Sequence, residues 1–138
     1  MESAIAMCMA KIQTYRDLET WQRGIDFVEH CYVITRAFPS DERFGLTSQI
    51  RRAAVSIPSN VAEGSCRHTT SVYINHVSIA LGSHGEIETC IEIACRLGYL
   101  SGPQKQKLMA ECDTVGRLLN GLLRSLEAKL EKQRQANH

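Results

Sequence analysis

Four stretches of this chain place side chains at alternating steps of three and four, and that period leaves few folds open. Leu18, Trp21, Ile25, Val28, Tyr32 and Thr35 make the first run, widened by Phe27, Cys31, Ile34 and Phe38. The spacing is that of one helix face and predicts a helix over about 15–37. The segment FPSDERFG follows, with the proline and glycine of a loop. A second helix starts near Leu46, with Leu46, Ile50, Ala53, Ala54, Ile57 and Val61 on one side. Pro58 interrupts its backbone hydrogen bonding, so a kink or brief break is expected there, and Gly64 and Ser65 favour termination.

The third helix is predicted over about 70–98 and carries two stripes. Tyr73, Val77, Ala80, Ile87, Ile91 and Ala94 make one. Val72, Ile79, Ser83, Glu86, Cys90, Ile93 and Leu97 make the other, at heptad-like spacing. A helix apolar on two sides is covered on two sides. In GYLSGPQ, Ser101 and Gln104 form a capping box and Pro103 suits a first turn. The fourth helix then carries Leu108, Cys112, Val115, Leu119, Leu122 and Leu126. Short connections between long helices make antiparallel neighbours. The expected fold is all-α: an antiparallel up-down four-helix bundle over residues 15–130. Residues 1–14 read as a flexible N-terminal extension, and 131–138 as a polar tail that frays.

Composition agrees. The chain has 138 residues, enough for one core, with 43% apolar residues and only three prolines. A formal net charge of +1 supplies no overall pull toward nucleic acid or lipid. No apolar run reaches the ~18 residues of a membrane span. The N-terminal MESAIAMCMA lacks the basic start of a secretory signal, and Met9 is a second plausible start that leaves residues 1–8 little structural role. Six cysteines occur: Cys8, Cys31, Cys66, Cys90, Cys95 and Cys112, none in Cys-x-x-Cys spacing. Small buried thiols in a reducing cytoplasm are expected.

Catalytic signatures are missing from the sequence. Glu-x-x-His, the ligand pair of di-iron bundles, does not occur, nor do HExxH, a phosphate loop or a nucleophile elbow. His68, His76 and His84 are eight residues apart, so each step turns about 80° round a helix and they cannot share one metal. No catalytic residue, cofactor or metal site is assigned. His84 and Glu88 are spaced for a surface ion pair.

The run Gln49–Arg67, QIRRAAVSIPSNVAEGSCR, concentrates small polar residues round its proline. Arg52, Ser56, Ser59 and Glu63 fall on a narrow stripe, with Gln49 and Asn60 beside it. Glu86 stands in an apolar seam of the third helix, where a carboxylate needs a partner. Arg51 and Arg52 are the natural cations. Arg51, Arg52, Asn60, Glu63 and Glu86 are therefore expected to form a structural polar cluster that fixes helix register or subunit docking. Residues 103–138 hold seven Lys/Arg against four Asp/Glu. Lys105, Lys107, Arg117, Arg124, Lys129 and Lys132 are candidate nucleic-acid contacts.

Several of these segments together resemble a known family. They are Leu18-x-x-Trp21, Phe38-Pro39, Glu42, Phe44-Gly45-Leu46, the run QIRRAAVSIPSNVAEG, Arg67, Ala80-Leu81-Gly82-Ser83, Glu86 and the GYL before the fourth helix. From about Tyr15 to Leu126 the chain resembles the four-helix-bundle family encoded within intervening sequences of 23S rRNA genes. That family is similar to the accessory variability protein of diversity-generating retroelements, a strongly basic pentameric barrel that binds nucleic acid and a reverse transcriptase. The resemblance implies the bundle, a homo-oligomer, most simply a pentamer, and an association with ribosomal RNA genes. This chain departs from the basic relative in its near-neutral charge, and Val72 makes its third helix more apolar where the family commonly has an acidic residue.

The expected function is that of a non-enzymatic, cytoplasmic, oligomeric scaffold associated with RNA or DNA. A protein-binding adaptor, such as a reverse-transcriptase accessory factor, is the alternative. A metal or small-molecule bundle enzyme is the weaker one.

Overall fold

A computed structural model describes residues 14–137. The extension expected at 1–14, with Cys8 and the second start at Met9, lies outside the described residues except for Thr14. Thr14 caps a short 3-10 turn at Tyr15–Asp17: its hydroxyl accepts from the Arg16 amide, and its own amide donates to Asp17. Leu18 is extended, so helix α1 begins only at Glu19 and runs Glu19–Thr35. The expected helix over 15–37 is thus shorter at both ends; at its start the reason is that the Thr14 cap closes a turn of its own before α1.

Helix α2 spans Leu46–Ser65, α3 Thr70–Arg96 and α4 Gly102–Ala136. Each packs on the next, and α4 closes onto α1, which fits the up-down arrangement. The chain is all-α among its described residues. The last turns of α4 are exposed but helical through Ala136, past position 131, at which a frayed tail was expected to begin.

The turns follow their residue chemistry. Ser101 and Gln104 form the expected capping box of α4. Gly98, at φ +80°, takes the left-handed position after α3, and the Tyr99 amide donates to the Ala94 carbonyl at 2.9 Å. At the same end of the bundle, Glu42 joins two connections. Its Oε1 accepts from the Leu46 amide at 3.2 Å, and its Oε2 accepts from the Tyr99 hydroxyl at 3.0 Å. A Cβ on Gly45 would come within 2.6 Å of Oε1, so a larger residue there would push the Glu42 carboxylate out of these bonds.

Helix α2 does not break at Pro58. Pro58 is buried against Gly24 of α1, where an added Cβ would lie 3.4 Å from the proline Cβ. Packing of the buried ring against α1 helps to offset the lost backbone bond. Phe27, Ile50, Ile57, Ile87, Leu108 and Leu119 fill the core at 0–2% exposure. Cys31, Cys90 and Cys112 are buried, but Cys66 is exposed and Cys95 half-buried, so the expectation of buried thiols holds for three of the five described. Burial pushes the Cys31 and Cys112 thiols up to about 12.

Candidate docking faces

The polar residues of α2 meet α3 along a chain of hydrogen bonds. The Ser83 hydroxyl donates to Ser56 Oγ at 2.8 Å. The Asn60 amide donates to Ser56 Oγ at 3.0 Å and to the Ser56 carbonyl at 2.8 Å. Asn60 Oδ1 therefore faces His76, whose Nδ1 donates to it at 3.0 Å. Glu63 stands 3.7 Å from the same nitrogen, with its own carboxylate exposed. The sequence reading missed His76. The signal was available: His76 and Ser83 are seven residues apart and share a helix face.

Arg51, Arg52 and Glu86 do not join this chain. Arg51 turns the other way, toward α1. Its Nε donates to Thr35 Oγ1 at 2.9 Å, and its guanidinium lies 4.5 Å from the Tyr32 ring centre. The expected pairing of Glu86 with an arginine of its own α2 is absent. Glu86 is exposed and has no ion pair or hydrogen bond among the described residues. The physical reason is rotational: Glu86 lies toward the outside of α3, on the flank that the bundle leaves open. Arg52 is also exposed and makes no ion pair among the described residues, although it borders the same groove as Glu86. Gln49, Arg52, Ala53, Ser56, Ser83 and Glu86 line an open polar groove of about 350 Å³.

Beside that groove α3 presents an apolar ridge. Val72, Ile79, Ile93 and Leu97 are 38%, 55%, 43% and 55% exposed. Cys90, expected in the same stripe, is buried instead. A second apolar feature lies between α1 and α2. Tyr15, Trp21, Ile25, Val28, Val55, Pro58, Ser59 and Ala62 line a groove of about 320 Å³. The two faces are different in shape and composition: one is a ridge, the other a furrow.

His84 meets Glu88 as their spacing suggests, but the ring itself is mostly buried rather than at the surface. Its Nε2 donates to the Cys112 carbonyl of α4 at 2.8 Å, while Nδ1 faces Glu88 at 3.3 Å. The ring lies over Gly116, where a Cβ would come within 2.6 Å of it. His30 meets Glu111 at 2.7 Å between α1 and α4, and His68 is exposed. The histidines thus serve separate helix contacts. No group of three metal-ligating side chains gathers among the described residues.

The basic residues of α4 do not converge on one stripe. Lys105 is tied to Glu92 of α3, which raises its pKa and lowers that of Glu92. Arg117 and Arg124 are seven residues apart on the face opposite the core, and both are exposed. Lys107, Lys129 and Lys132 are exposed on flanking positions. No helix of the described residues is long and apolar enough to cross a membrane.

A crystal structure of a protein of unknown function from the S23 ribosomal protein family of Bacteroides thetaiotaomicron is similar to this chain, with a TM-score of 0.68 and 21% identity. The match covers 75% of this chain and 97% of that one. At that identity the likeness shows the shared fold. A search of curated proteins returns no match. The model of the family described as 23S rRNA-intervening sequence protein matches residues 16–121, from the first turn into the middle of α4. The chain belongs to the 23S rRNA-intervening sequence protein family.

Proposed function

We propose that this protein is a non-enzymatic scaffold that works as a homo-oligomer and associates with RNA. The observation that carries the reading is the pair of unlike apolar faces, the α3 ridge and the α1–α2 furrow. A lone bundle leaves both in water, and adjoining apolar surface of this kind marks an interface. Two different faces favour head-to-tail contact, which closes into a ring when the rotation permits. The resemblance of the central run to its family favours five copies. The family name points to ribosomal RNA genes as the setting. Arg117 and Arg124 face away from the core, where a ring would repeat them round its outer surface.

One observation favours the adaptor reading: Phe44, 88% exposed, stands on the turn before α2 with the Arg43 guanidinium 5.3 Å from its ring centre. An exposed aromatic beside an arginine suits a protein partner.

Size-exclusion chromatography and filter binding test the scaffold reading together. Ile79→Asp with Ile93→Asp should yield a smaller, still helical species. The unaltered assembly should retain RNA at low salt and release it as salt rises, and Arg117→Glu with Arg124→Glu should weaken that retention. An assembly of unchanged size in the ridge variant contradicts the docking role of α3. RNA retention unaffected by the arginine changes contradicts the proposed RNA face.

A further inference from the structure

The end of the bundle away from Glu42 and Tyr99 is hollow. The turn before α1, the end of α2, the start of α3 and the second half of α4 surround a cavity of about 560 Å³ there. Small-molecule sites fall at about 300–1,000 Å³ and are mostly apolar, with a few polar groups that orient the ligand. Tyr15, Leu18, Tyr73 and Leu122 supply the apolar walls, and Ser65 and Cys66 stand at the close of α2. Burial raises the pKa of the Tyr73 hydroxyl, and the neighbouring Cys66 thiol adds to the effect, so the phenol stays a neutral donor.

Lys129 is the only charged side chain of this lining, one heptad beyond Leu122 on the same face of α4. It makes no ion pair among the described residues. Neither tyrosine hydroxyl makes a hydrogen bond among them. The cavity thus combines apolar walls, one unanswered positive charge and two phenolic donors, with no carboxylate in the lining to repel an anion. A hydrocarbon would leave the ammonium unanswered, and a multiply charged phosphate would meet one cation among apolar walls. We propose that the cavity binds a small soluble acid with an apolar body. The body lies between the tyrosines and leucines, and the carboxylate meets Lys129. The inference requires neither the self-assembly reading nor the RNA reading above.

Cys66 is exposed and lines the cavity, so its alkylation reports occupancy. Iodoacetamide labelling of the full chain is followed by peptide mapping, with octanoate below its micellar range as the probe. Labelling should slow at Cys66 as octanoate is added, while half-buried Cys95, outside the lining, labels at an unchanged rate. Octan-1-ol should protect only at much higher concentration. Lys129 is exposed, so Lys129→Glu should keep its helix content by circular dichroism. That variant should raise the octanoate concentration for half-protection roughly tenfold and leave the octan-1-ol value unchanged. Octanoate that leaves Cys66 labelling unchanged, or slows Cys66 and Cys95 alike, overturns the site. Equal protection by acid and alcohol, or by octanoate in the parent and the Lys129→Glu protein, overturns the choice of an acid. Cys66 that resists labelling without octanoate shows the cavity already covered in the full chain and overturns the proposal as well.

Discussion

Arg51 joins α1 to α2 with one side chain. Its Nε donates to Thr35, its guanidinium covers the Tyr32 ring, and Thr35 in turn donates to the Cys31 carbonyl. Arg51→Ala removes a charge-assisted bond and a ring contact, and the expected loss is about 1–2 kcal/mol in denaturant unfolding because the site is only half-buried. Glu86→Ala, at fixed assembly state, should change the stability of the single bundle by less than about 0.5 kcal/mol. Equal losses for the two would contradict this division of roles. The thiols give a second expectation at the same scale. Cys31 and Cys112 are buried, with burial the first cause of a pKa raised from 9.0 to about 12. An acid whose folded pKa is raised contributes stability below its unfolded pKa that is lost as pH climbs through the folded value. Stability should therefore decline between about pH 9 and 12, and peptide mapping after alkylation should find Cys66 modified before Cys31 and Cys112. Modification of Cys112 at the rate of Cys66 would show that the core opens readily.

The helices themselves were legible because their periods are long and regular. The S-x-x-Q cap of α4, the stripe of α2 and both long helices of the second half stand where the spacing of their residues puts them. Pro58 was harder to read. The sequence shows the missing amide, but the helix against which the ring packs is α1, whose Gly24 lies thirty-four residues away. Glu86 was misjudged for a related reason. Periodicity tells which residues share a face of α3, but not whether the bundle covers that face. Ile87 and Glu86 differ by one step, about 100°, and one is in the core while the other is in solvent. Helix contacts through glycine are equally invisible in one sequence. His84 fills the space that a Cβ on Gly116 would take, so Gly116→Ala should displace the ring and cost about 1–3 kcal/mol. Gly82, with open space round its Cβ position, is the control: Gly82→Ala should stabilise α3 by about 0.5–1 kcal/mol. Thermal or denaturant unfolding of the two variants decides the matter. A Gly116→Ala protein as stable as the parent would mean that His84 can leave its place without cost.

At the scale of the whole molecule, the bundle has one well-filled interior and an incompletely covered outside. Its core is closed on all four helices, yet Val72, Ile79, Ile93 and Leu97 remain in water along one helix and a second apolar furrow lies between two others. The family match runs from Arg16 into the middle of α4, and the central run of α2 holds Ser56 and Asn60 of the polar chain as well as the α2 wall of that furrow. Assembly through these surfaces would explain why a helix with a proline at its centre is lined with small and polar residues on the sides that do not face the core. The most direct measurement is the molar mass of the unaltered protein by light scattering across a micromolar dilution series. Self-assembly predicts a mass several times the 15.4 kDa of one chain, held over that range. A mass of 15.4 kDa at every concentration would contradict it.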